Sequence, residues 1–279
     1  MLLNAKPYVE KKIAELQDRL SQLNKAPKLA IIQVEGDPAS DRYVHNKMKR
    51  CTEVGIDAVL CYYGKDVNVS TLHHKIVELN NDESVTGILI QLPLPENLRL
   101  YTDVLINQID PHKDVDGLTN VNIGRLSRGS YCNLPCTPKG IIELLEFYNI
   151  PMEGKDVLII NRSELVGKPL AQLFLQKGAT VTVAHSKTVH LKNKVRMADI
   201  VVTGVGIPNF LADEDFYRGT TIVDVSINFM DGKMRGDVVK EDYENIARRC
   251  NLTPVPGGVG QTTVMALLDT LVELVEIGL

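Results

Sequence analysis

Two side chains set four residues apart, Tyr43 and Lys47, carry the clearest chemical signal in the sequence. On a helix that spacing puts both on one face, one turn apart. An aromatic plate beside a primary amine can hold a flat heterocycle and move a proton near it. The pair follows the apolar run 29–34, and Asp37-Pro38 reads as the turn between strand and helix. Ser40 or Asp41 is placed to cap that helix by accepting a backbone N–H. The same residues also suit an amphipathic surface helix with a solvated lysine, so the rest of the chain must decide.

Gln91 closes the strand-like run 87–92 (GILIQL), just before Pro93-Leu94-Pro95 breaks the backbone. Ligands of open α/β sheets collect beyond strand carboxyl ends, which gives Gln91 the position for a polar contact. The alternative is an edge residue bonded to solvent. Further on, Asp114 and Asp116 flank Val115. In an extended segment both carboxylates face one way. No His or Glu ligand stands nearby, so no metal is expected. A carboxylate accepting paired N–H donors from an amino-substituted ring fits better. A turn stabilised by Asp side chains is the other reading.

The second half suggests a nucleotide site. Residues 157–160 read as a buried strand, 161–169 (NRSELVGKP) as a loop, 170–176 as a helix and 180–184 as the next strand. This is a Rossmann unit, whose helix N-terminus holds a pyrophosphate on free N–H groups. The G-x-G-x-x-G fingerprint is absent, and only Gly167 is well placed. A site for NAD usually ends its second strand with Asp or Glu. Here His185-Ser186-Lys187 stands there, with Arg162 in the first loop. That rim accepts a 2′-phosphate, so NADP is expected, with NAD possible; solvated surface charges are the alternative. Strands 200–203 and 221–225 run into loops carrying Gly204-Val205-Gly206 and Ser226-Ile227-Asn228, and Pro256-Gly257-Gly258-Val259-Gly260 precedes a last helix, 262–277. Three glycines so close let backbone approach a ligand or adopt positive φ.

The supporting elements follow from periodicity. Val9, Ile13, Leu16, Leu20 and Leu23 mark a first helix, and strand-like and helical runs then alternate through residue 92, which implies parallel pairing. Pro135-Cys136-Thr137-Pro138 reads as a helix start, with Thr137 capping and Pro138 at the first helical position. A net charge of −4 without a dense basic block argues against a nucleic-acid partner. No signal-peptide core and no apolar run of membrane length is visible. Five scattered cysteines read as free thiols of a reducing cytoplasm.

These pieces resemble the bifunctional methylenetetrahydrofolate dehydrogenase/methenyltetrahydrofolate cyclohydrolase family. The resemblance spans nearly the whole chain in motif order: GDPAS..YV..K at 36–47, GILIQLPLP at 87–95, HKDVDG at 112–117, PCTPKG at 135–140, RS..VGKP at 162–169 and TPVPGGVG at 253–260. It implies two α/β domains flanking a cleft, the second a Rossmann-type NAD(P)-binding domain. Residues 1–138 and 264–279 would form the folate-binding catalytic domain, and 139–263 the NADP domain. The implied reactions are NADP-dependent oxidation of 5,10-methylenetetrahydrofolate to the methenyl form, and its hydrolysis to 10-formyltetrahydrofolate.

By that resemblance Tyr43 stacks on the pterin, Lys47 is the catalytic amine, Gln91 orients it and Asp116 binds the ring. Leu92, Pro256, Gly257 and Gly258 complete the substrate contacts. Arg162, Ser163 and Ser186 hold the phosphates, and Asn161, Val166, Gly167, His185, Gly204 and Ile227 complete the cofactor contacts. A homodimer is also implied. Three positions depart from the family pattern: Asn161 stands for Gly, Ser226 for Gly, and Gln261-Thr262-Thr263 for Pro-Met-Thr. They bear on the cofactor end, and leave open an NAD-dependent or single-activity member or a non-catalytic binding protein. Short-chain dehydrogenases also use Tyr-x-x-x-Lys, but there the pair follows the cofactor fingerprint, whereas here it precedes it.

Overall fold

The computed structural model describes residues 1–36 and 38–278, so the expected turn at Asp37 lies outside the described residues. The chain divides into two compact units, Lys11–Cys136 with Val264–Leu279, and Met1–Glu10 with Thr137–Thr263. The helix α1 (Ala5–Ser21) opens the chain and buries Val9 and Leu16 of the expected stripe.

In the unit of Lys11–Cys136, β1 (Lys28–Val34), α2 (Pro38–Val54), β2 (Asp57–Tyr63), α3 (Val69–Asn81) and β3 (Gly87–Ile90) alternate as their periodicity requires. The strands form a parallel sheet in the order β2-β1-β3. Ala30, Ile32, Val34, Ile88 and Ile90 share one face and pack on Leu72, Ile76 and Leu79 of α3. On the other face Gly87 has no room for a side chain: a Cβ there would lie 2.2 Å from Val115 and 2.7 Å from Leu271. Gly55, at φ 99°, ends α2 as expected. Two short helices follow, α4 (Thr102–Ile106) and α5 (Asn120–Ser127), the second capped by Thr119. Neither is long enough for its periodicity to be visible in sequence.

The other unit takes in most of α6 (Cys136–Phe147), then β4 (Asp156–Ile160), α7 (Gly167–Gln176), β5 (Thr180–Ala184), α8 (Leu191–Met197), β6 (Ile200–Thr203) and β7 (Thr221–Asp224). A hairpin, β8 (Asn228–Met230) with β9 (Lys233–Arg235), precedes α9 (Tyr243–Ala247), β10 (Asn251–Leu252) and α10 (Val259–Glu276). The sheet is parallel, in the order β10-β7-β6-β4-β5. Met1–Glu10 joins this unit because Leu3 N–H donates to Leu252 C=O and Ala5 N–H to Gly257 C=O, both at 2.8 Å. Pro138 sits at the third position of α6 rather than the first, which the first turn tolerates because its N–H groups have no intrahelical partner. The chain leaves β4 toward β5 on one side and returns to β6 on the other. The carboxyl ends of β4 and β6 therefore flank a topological switch point, where dinucleotides bind.

Candidate active site

In the unit of Lys11–Cys136, α2 carries Tyr43 and Lys47 out of the carboxyl end of β1. Neither Ser40 nor Asp41 caps it, because the helix already begins at Pro38. Asp41 instead accepts a hydrogen bond from Gln33 Nε2 at 2.6 Å, which latches α2 to β1. Tyr43 is partly exposed and Lys47 half-buried. Lys47 Nζ donates to Gln91 Oε1 at 2.9 Å, and Gln91 Nε2 donates to Leu92 C=O at 2.7 Å. The second bond decides which end of the amide faces the lysine: the oxygen does. Gln91 is itself fixed by the sheet, since its N–H donates to Ile32 C=O at 2.8 Å.

Asp114 and Asp116 do not share a strand face. They lie in a tight turn, and their roles separate. Asp114 is 1% exposed and accepts from Leu118 N–H, Thr119 N–H and Asn122 Nδ2 at 3.2, 2.8 and 2.9 Å. That carboxylate is committed to holding the turn. Gly117 lets the turn close: its φ is 65°, and a Cβ would come 2.5 Å from Asn133 C=O. Asp116 takes no part in those bonds. Burial pushes its carboxyl above the ordinary range, while the Lys47 charge and a hydrogen bond from the Cys136 thiol pull it down. Lys47, Gln91 and Asp116 thus form one electrostatic group. One turn beyond Lys47, burial raises the Cys51 thiol to about 12, which makes it a packing residue rather than a nucleophile.

In the other unit, Gly167 sits so close to β4 that a Cβ would lie 2.1 Å from Asn161 C=O. The start of α7, however, offers no free N–H in its first three positions. Gly167 N–H donates to Asn161 Oδ1 at 3.1 Å, Lys168 N–H to Ser163 C=O at 3.0 Å, and Pro169 has none. Asn161 Oδ1 also takes Ser163 N–H at 2.7 Å, and Ser163 Oγ takes Val166 N–H at 3.2 Å. The expected pyrophosphate seat on bare helix N–H groups is therefore filled internally. The side chains of Arg162, Ser163, Ser186 and Lys187, by contrast, are exposed at the ends of β4 and β5. His185 Nδ1 accepts Lys187 N–H at 3.1 Å and shapes the β5 end of that rim, where residues 185–188 carry no carboxylate. The donors fit a 2′-phosphorylated dinucleotide.

Sequence reasoning missed the residues that hold the loops after β6 and β7. Asp237 is fully buried and accepts from Thr203 Oγ1, Val205 N–H, Gly206 N–H and Ile207 N–H, at 2.7 to 3.1 Å. Asp224 accepts from Ser226 and Val238 N–H groups. Burial raises its carboxyl to about 7, those N–H bonds oppose the rise, and the Asp237 charge adds to it. Nothing local marks Asp237, because its partners lie 30 to 34 residues away in sequence. Ile227 stands half-buried beside Gly260. In the glycine run, Gly257 needs its φ of 112°, and Gly258 packs with an ideal Cβ 2.7 Å from Pro254 C=O, whereas Gly260 has room. Among the described residues no cluster of His, Cys, Asp or Glu is arranged to hold a metal.

Family models match almost the whole chain: "Tetrahydrofolate dehydrogenase/cyclohydrolase, catalytic domain" over residues 3–116, and the corresponding "NAD(P)-binding domain" over 135–278. The Bifunctional protein FolD of Bacillus cytotoxicus is 41% identical over 98% of this chain and 96% of its own length. A crystal structure of the Campylobacter jejuni FolD methylenetetrahydrofolate dehydrogenase/cyclohydrolase superimposes with TM-score 0.95 at 39% identity, covering 100% of this chain and 99% of that one. The Trypanosoma brucei dehydrogenase-cyclohydrolase, solved with NADP and an inhibitor, gives 0.91 at 29% identity, covering 99% and 97%.

Proposed function

The chain belongs to the tetrahydrofolate dehydrogenase/cyclohydrolase family, and we propose that it carries out both reactions of that name with NADP. It oxidises 5,10-methylenetetrahydrofolate to 5,10-methenyltetrahydrofolate and hydrolyses that product to 10-formyltetrahydrofolate. The observation that carries this reading is the linked set Lys47–Gln91–Leu92 beside Asp116 at the carboxyl end of a parallel sheet.

The two steps ask different things of the protein. Hydride leaves a carbon between two nitrogens, whose lone pairs stabilise the resulting cation, so no proton needs to move. NADP supplies the hydride acceptor. The chain's task is orientation, which can contribute roughly 7–11 kcal/mol. Tyr43 gives the pterin a stacking plate, and Asp116 accepts N–H donors of its amino-substituted ring. Leu92, Pro256, Gly257 and Gly258 complete the substrate contacts. Ring opening does need proton transfer: water adds to the cationic carbon and loses both its protons, one to solvent and one to the ring nitrogen whose bond to that carbon breaks. Lys47 is the group for that exchange, aimed by Gln91 Oε1.

On the cofactor side, Arg162, Ser163 and Ser186 hold phosphates. Asn161, Val166, Gly167, His185, Gly204 and Ile227 shape the loops around them. The absence of a carboxylate at 185–188 favours NADP over NAD. A homodimer is supported by β2, an edge strand that exposes Val59, Leu60 and Tyr62. A cytoplasmic place is supported by five free thiols and by the lack, among the described residues, of a helix able to cross a membrane. The net charge of −4 gives no basis for a nucleic-acid partner.

A spectrophotometric assay of the purified chain with methylenetetrahydrofolate tests the reading. NADP should support reduction followed by decay of the methenyl chromophore, and NAD much less. Cofactor reduction with neither nucleotide would defeat it.

A further inference from the structure

The loop 204–207 after β6 is held from three sides. From the segment after β9, Asp237 takes three consecutive N–H groups, those of Val205, Gly206 and Ile207, at 2.7, 3.1 and 3.0 Å. Across the switch point, Asn161 Nδ2 donates to Gly204 C=O at 2.6 Å. From the β7 loop, Ser226 Oγ accepts Gly206 N–H at 3.1 Å. Glycine at either position would lack the bond altogether, so two separate side chains converge on one loop.

The consequence follows from peptide planarity. In a trans peptide the N–H and the preceding C=O point opposite ways. With three N–H groups turned onto Asp237, the carbonyls of Gly204, Val205 and Gly206 are turned away from it. Gly204 C=O is taken by Asn161. Those of Val205 and Gly206 accept no hydrogen bond among the described residues, and Gly206 is exposed. Carbonyls can only accept, so this edge suits a ligand that donates N–H or O–H. The loop lies on the side of the switch point away from β5, whose rim takes the 2′-phosphate end, and so faces the nicotinamide half.

We propose that Asn161, Ser226 and Asp237 are positioning residues that lock residues 204–207 into a ledge of carbonyl acceptors for the nicotinamide half of the cofactor. This rests on the reading that NADP binds at the switch point. Fixing the ledge beforehand removes an ordering cost from binding.

The test compares wild type with Asn161→Gly, Ser226→Gly and the double variant. It uses NADPH and NADH titrations, steady-state kinetics, and amide hydrogen exchange without nucleotide. Ser226→Gly, which removes one neutral hydrogen bond to the loop, should raise the NADPH dissociation constant about threefold to tenfold, and Asn161→Gly, which also releases the Ser163 and Gly167 N–H groups, should raise it as well. Exchange should quicken at Val205, Gly206 and Ile207 but not in β1 or β3. The kinetic loss should fall chiefly on the Michaelis constant for NADP, as expected for lost uniform binding. Unchanged exchange at 205–207 overturns the clamp, and faster exchange with unchanged affinity overturns the ledge. Wild-type protein that binds neither nucleotide overturns the cofactor reading, and the ledge with it. Asp237→Asn serves as a third probe if it folds, and the glycine variants decide the matter if it does not.

Discussion

The two units solve recognition in opposite ways. Around Lys47 the working parts are side chains, delivered by one helix, one strand end and one turn, and oriented by short links such as Gln91 Nε2 to Leu92 C=O. Around Gly204 the working parts are backbone groups, and most of the side chains that hold them are buried: Asp237 and Ser226 are each less than a tenth exposed, and Asn161 is half-buried. The difference matches the chemistry. Ring opening needs a group that exchanges protons, which backbone cannot supply. Hydride transfer needs geometry, which a clamped loop supplies well.

The largest expected effect tests the side-chain half. Lys47→Arg keeps the cation but not a readily lost proton. Ring opening should fall about 10²- to 10⁴-fold, read from decay of the methenyl chromophore, with folding stability little changed. Retained ring opening would mean that charge alone suffices there.

The next effect tests the buried half through pH. Asp224 has its carboxyl raised from 3.8 to about 7. The folded state therefore holds that proton more tightly than the unfolded chain, and stability falls as pH climbs from about 4 to about 7, levelling above. At about 1.4 kcal/mol per pH unit the ceiling is about 4 kcal/mol. Denaturant midpoints at pH 5 and pH 8 measure it, and Asp224→Asn should flatten the slope.

A smaller loss is expected from Asp237→Asn, which replaces one carboxylate acceptor by an amide among donors. Chemical denaturation should show about 2 kcal/mol of destabilisation. A neutral result would mean that the N–H groups of residues 205–207 find other partners. Smallest is Arg162→Ala, which should weaken NADP about tenfold and NAD hardly at all. Equal weakening of both would remove Arg162 from the 2′-phosphate.

How much was legible in the sequence follows the same division. Most of the longer strands and helices announced themselves, because burial on one face imposes a period. That Tyr43 and Lys47 share one helix and that Gln91 follows a strand end was legible, because such positions follow from local spacing. The pair Asp114 and Asp116 shows the limit. Read as extended they look equivalent, and only the turn closed by Gly117 shows that Asp114 is committed to structure while Asp116 is not. The free N–H groups expected at α7 were lost to Asn161, whose acceptor reach depends on the loop's path. Asp237 was invisible for a related reason: its donors lie about thirty residues earlier in the chain.

The most direct test follows both activities of Lys47→Met in one cuvette. The division of labour described here requires cofactor reduction to continue while the methenyl compound accumulates, because only its opening has lost a proton carrier. If reduction and ring opening instead decline in parallel, with no build-up between them, Lys47 serves binding or orientation for both steps and the proposed mechanism is wrong.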